Sequence, residues 1–110
     1  MFRDDEQTGR ACRALLAMVR LEKLWANHRP TPAALELLAG DGGTLSSSER
    51  IVLLAAFAFW NGEGSLRLAE IVMHLDVEPS EAICALVVAV KQGSDAVDEW
   101  LEEYGAPEIH

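Results

Sequence analysis

Apolar residues recur at helical spacing along most of this chain, and turn residues cut the pattern into six segments. Ala11, Leu15, Met18 and Trp25, flanked by Cys12, Leu16 and Val19, predict a first helix over Thr8–Asn27, closed by His28-Arg29-Pro30. Thr31-Pro32 is a cap followed by a proline suited to the first helical turn, so a short second helix carrying Leu35, Leu37 and Leu38 runs to Gly40. Ser46 and Glu49 form a capping-box pair that opens a third helix over Ser47–Trp60, and Asn61-Gly62 ends it. A fourth helix spans Arg67–Leu75. A fifth begins at Glu78-Pro79-Ser80 and stops at Gln92-Gly93. Ser94 caps a sixth, Asp95–Tyr104. The valines of Ile83–Val90 would also suit a buried strand, but the proline near the start and the glycine stop favour helix.

The expectation is an all-α fold: a compact orthogonal bundle of about six helices in one domain spanning residues 1–110, with residues 1–7 and 106–110 frayed. It contains a helix-loop-helix around residues 47–75 and a helix-turn-helix-like core around 67–92. Ile51–Trp60 and Ile83–Val90 are apolar on every side. So small a domain has few elements left to cover two such helices, which predicts surface covered by a second copy or another protein.

Charge changes this picture more than composition does. The net charge is −9, and half the residues are hydrophobic, as in ordinary globular chains. Residues 1–55 hold seven basic and seven acidic side chains, whereas residues 56–110 hold two basic and eleven acidic ones. An acidic surface opposes direct binding to nucleic acid and to anionic membranes. The longest uncharged apolar run, Ile51–Trp60, is roughly half the ~20 residues a membrane-spanning helix requires. The start of the chain has acidic Asp4, Asp5 and Glu6 and no apolar run, so a cytoplasmic protein is expected. Cys12 and Cys84 are too few for a disulfide framework and are expected as buried thiols.

Two segments resemble known motifs. Asn61, Glu63, Gly64, Leu66 and Glu70, between two helices, resemble an EF-hand calcium loop at the second and third oxygen ligands, the turn glycine, the apolar position and the closing glutamate. The first ligand position falls on Phe59, whose ring has no donor. The expectation is therefore no metal and a structural turn, with a calcium-responsive module as the third functional reading. Ala69-Glu70-Ile71, Leu75-Asp76-Val77, Glu78-Pro79-Ser80, Ile83 and Leu86 resemble a helix-turn-helix. Its second helix offers Ser80, Glu81, Ala82 and Cys84 where base readers need donors, which makes a degenerate regulator the second reading.

Other chemistry is sparse. Gly40-Asp41-Gly42-Gly43-Thr44 lacks the lysine of a phosphate loop, and Ser46-Ser47-Ser48 is a helix start. His28, His74 and His110 share no metal-ligand spacing with each other or with the cysteines. No catalytic residue and no cofactor is expected. The candidate partner-binding residues are Asp95, Asp98, Glu99, Glu102 and Glu103, which occupy one face of the sixth helix opposite Val97, Trp100, Leu101 and Tyr104, together with Trp60. The leading reading is a non-catalytic interaction module that binds a basic protein partner, itself, or both.

Overall fold

The computed structural model describes residues 1–40, 43–62 and 66–105, and within them the chain is an all-α bundle of six helices and one minimal hairpin. The helices are α1 (Asp5–Ala17), α2 (Pro32–Ala39), α3 (Ser47–Asn61), α4 (Leu68–His74), α5 (Val77–Gln92) and α6 (Ser94–Tyr104). Their order and approximate limits match the sequence pattern, except in the first thirty residues.

There the predicted Thr8–Asn27 helix is corrected at both ends. α1 begins at Asp5, because the Asp4 carboxylate accepts from the Gln7 N–H and Asp5 and Glu6 complement the helix dipole. Asp5–Gln7, inside the first segment expected to fray, are thus helical, and the second such segment, residues 106–110, lies outside the described residues. Phe2 packs edge-on against Phe59 with ring centroids 6.3 Å apart, and Gln7 is fully buried. At the other end the helix stops after Ala17. Arg20 takes a left-handed φ of 63°, its N–H returns to the Ala17 carbonyl, and the Leu21 N–H returns to Leu16. That bond pair is a Schellman cap, a place normally held by glycine.

A 3-10 turn (Glu22–Leu24) then leads into two short strands, β1 (Trp25–Ala26) and β2 (Arg29–Pro30), paired antiparallel with Trp25 opposite Pro30. Asn27 and His28 both have positive φ, 53° and 64°, the signature of a two-residue type I′ turn. Trp25 does reach the core, as its spacing implied, but from a strand instead of a helix.

The later caps follow the local signals. Thr31 Oγ1 accepts from the Ala34 N–H. Both halves of the Ser46–Glu49 capping box form, and Gly62 ends α3 in the left-handed region at φ 74°. α6 begins one residue earlier than expected, at Ser94, after Gly93 with φ 124°.

α1 lies across α3 and α6, and α5 and α6 pack as a helical hairpin. The core comprises Cys12, Leu15 and Leu16 from α1, Trp25, Ile51–Leu53 and Ala56 from α3, Leu86 from α5, and Val97 and Trp100 from α6. Cys12 sits inside it with Sγ 3.2 Å from the Ala56 carbonyl, and burial pushes its thiol pKa up. Cys84, expected to be buried, is exposed on α5. Trp100 Nε1 donates to the Ala82 carbonyl at 2.9 Å, which ties α6 to α5.

Candidate functional site

The helical period of α5 separates its two faces. Pro79, Ala82, Ile83, Leu86 and Ala89 are buried, and Val77, Glu81, Cys84 and Val88 form the opposite, exposed stripe. α4 is attached even less completely. Only Ile71 is buried in it, while Leu68 is 72% exposed, Val72 76% and Met73 74%. Val77, at the junction into α5, is 72% exposed. Isolated exposed apolar residues are common, but Leu68 and Val72 are one turn apart and Met73 and Val77 span the α4–α5 link. Of the two helices apolar on every side that were expected to leave uncovered surface, α3 and α5, α5 does so with Val77, Val87 and Val88, and α4, which was not one of them, leaves more. α3 keeps less of it, since Ile51–Leu53 and Ala55–Ala56 are buried and Phe57–Trp60 half-buried.

Carboxylates border this apolar strip. Asp76, Glu78 and Glu81 are exposed beside Val77, and Glu99, Glu102, Glu103 and Asp95 are exposed on α6. The two acidic groups approach each other at Tyr104. Its hydroxyl pKa is raised by loss of solvent and then by the charges of Glu103 and Glu81.

Asp98 departs from the expected outward stripe. Its carboxylate accepts from Gln7 Nε2 at 2.9 Å and from Arg3 Nη1 at 3.0 Å, while the same Gln7 amide also reaches the Ser94 carbonyl. It therefore fastens the start of α1 to the start of α6. The Gln7 hydrogen bond first, then the Arg3 bond and charge, hold the Asp98 pKa below the ordinary carboxylate value, with a further contribution from Arg10. A depressed folded-state pKa adds stability above the unfolded value of about 3.9, and that stability is lost as pH falls through the folded value. Asp98→Asn is accordingly expected to lower the melting temperature at pH 7, with the gap to wild type closing below about pH 4. A gap of equal size at pH 2.5 and pH 7 would contradict this role for the charge.

Trp60 stands elsewhere. Its ring meets Trp25 edge-on with centroids 6.1 Å apart and Phe57 at 5.7 Å, and it borders an open depression near Phe2, Asp4 and Asp5. The structure does not gather it with the acidic residues of α6, so the six sequence candidates do not form one site. Sequence reasoning missed α4, because Leu68, Ile71, Val72 and Met73 look like an ordinary buried face until their exposure is known.

Glu70, the would-be closing calcium ligand, pairs with Arg50 at 3.8 Å, and Phe59 packs on Phe2. Glu63 and Gly64 lie outside the described residues, as do Asp41 and Gly42 of the glycine loop and His110. Among the described residues no three His, Cys, Asp or Glu side chains come together as a metal set. α4 and α5 follow each other through a two-residue link, Leu75-Asp76, in the order of a helix-turn-helix, and the exposed side of α5 carries Glu78 and Glu81. Among the described residues no helix is long and apolar enough to cross a membrane. A scan against protein families finds no match, and searches of curated proteins and of solved structures return no significant match.

Proposed function

We propose that the protein is a non-catalytic interaction module whose docking surface is the apolar strip of α4 and the outer stripe of α5, and whose partner is a cationic amphipathic segment of another protein. The exposure of Leu68, Val72, Met73 and Val77, each about three-quarters open to solvent, carries this reading.

Magnitudes decide what kind of partner fits. Burying an apolar side chain of this size contributes about 1.5–3 kcal/mol, so covering the four yields roughly 4–9 kcal/mol. Association costs about 4–15 kcal/mol in lost freedom, so apolar contact alone leaves little net affinity. The deciding contribution then comes from charge. Asp76, Glu78 and Glu81 lie beside the strip on a chain of net charge −9. They repel a second copy and attract Lys and Arg, which speeds encounter and selects partners. The acidic face of α6, with Glu99, Glu102 and Glu103, extends the same field.

The test uses two synthetic helical peptides with one leucine face, one carrying lysines and the other glutamates on the polar side. The lysine peptide is expected to bind with micromolar affinity, to weaken at least tenfold at 0.5 M salt, and to weaken as much in Val72→Asp. That substitution is at an exposed position, so the fold, checked by circular dichroism, is expected to persist. Equal binding of both peptides, or of neither, would remove the proposal. So would concentration-dependent self-association in sedimentation that Val72→Asp abolishes, because the strip would then belong to a second copy.

A further inference from the structure

α1 and the hairpin border a cleft of about 310 Å³. Its polar wall is built from Arg10 and Arg13, one turn apart on α1, and from Asn27 and His28 at the hairpin tip. Trp25 closes the inner side. It is 2% exposed, and its Nε1 is buried without a hydrogen-bond partner among the described residues.

Three properties set this cleft apart from the rest of the surface. The first is its charge: two guanidinium groups line it and no carboxylate does, on a chain with twice as many acidic as basic residues. The second is its hydrogen-bonding sense, because Arg10 and Arg13 can only donate. The third is that its shape is imposed by the fold. Gly9, on the floor, lets the His28 backbone approach so closely that an added Cβ would fall 2.4 Å from the His28 Cα. Asn27 and His28 are held at left-handed φ by the type I′ turn. Arg13 Nε donates at 3.5 Å to the Glu22 carbonyl, which steadies that side chain at the boundary with a smaller cavity of about 240 Å³ where Glu22 and Leu101 face the same two arginines.

We infer that this cleft binds the oxyanion group of a small molecule, a phosphate or a carboxylate, through Arg10 and Arg13. Guanidinium groups match either anion through parallel N–H donors. A volume of about 310 Å³ is at the small end of ligand sites. It suits a phosphate monoester or a short organic acid better than a dinucleotide. The site shares no lining residue with the α4–α5 docking surface.

Thermal denaturation and calorimetry with inorganic phosphate and with succinate, each against sodium chloride at equal ionic strength, test the assignment. At least one anion is expected to raise the melting temperature by several degrees beyond chloride, and which of the two does so identifies the oxyanion. Arg10→Gln and Arg13→Gln, both at exposed positions, are expected to weaken binding at least tenfold each. Val72→Asp should leave it unchanged. If neither anion exceeds chloride, or if the arginine variants bind as well as wild type, the site does not exist as proposed.

Discussion

Trp100→Ala is expected to destabilise the protein by about 3–5 kcal/mol, measured as a shift of the urea midpoint at constant slope. Trp100 is 4% exposed, packs against Tyr104 with centroids 5.4 Å apart, and donates Nε1–H to the Ala82 carbonyl. Its removal opens a cavity between α5 and α6 and leaves that carbonyl short of a donor. A domain of this size has about 5–15 kcal/mol in total, so the variant would sit near the edge of folding at physiological temperature. Trp100→Phe restores most of the volume without the donor and is expected to lose less, about 1–2 kcal/mol. If Trp100→Ala cost under 1.5 kcal/mol, the α5–α6 hairpin would not be anchored at this point.

Gly9→Ala comes next in size, and intrinsic propensity alone would give it the opposite sign. In a helix interior alanine is favoured over glycine by about 1 kcal/mol. At Gly9, however, the new Cβ would fall 2.4 Å from the His28 Cα and 2.5 Å from its Cβ, so the hairpin must move off α1. Overpacking of this kind costs about 1–3 kcal/mol, and more where backbone meets backbone. A net loss of about 2 kcal/mol is expected, a fall of roughly 10 °C in melting temperature. Gly40→Ala is the control, because its Cβ would meet nothing closer than 3.7 Å; it is expected to stay within about 0.5 kcal/mol of wild type. If Gly9→Ala raised the melting temperature, the close approach of α1 and the hairpin would be disproved.

Both residues show how the fold divides between local and distant causes. Trp100 was legible as a core position because α6 has a regular period and one apolar face. Gly9 carried no such mark, since its importance comes from a backbone nineteen residues away. Asp98 is similar. By spacing it belonged with Asp95, Glu99 and Glu102 on a solvated face. The Gln7 amide and Arg3 guanidinium draw it inward instead. The candidate docking surface was legible only in part. That two helices were apolar all round could be read directly, but which of their residues would remain uncovered depended on how many neighbours the bundle supplied.

The number of helices, their order and most of their ends were determined by the sequence alone. Thr31-Pro32, the Ser46–Glu49 box and Gly62 act within one turn of themselves, and backbone groups at a helix end need partners whatever lies beyond. The acidic balance of the second half was equally plain. Only the tertiary structure decided the rest. It ended α1 at Ala17, with Arg20 in the left-handed position of a cap usually marked by glycine. It brought Trp25 to the core from a strand, exposed Cys84 and α4, and gathered Arg10, Arg13 and Trp25 around one cleft. A helical period records which residues are apolar and how far apart they stand. Where the chain turns back, and what it then meets, is settled by contacts between segments far apart in sequence, and those have no local signature.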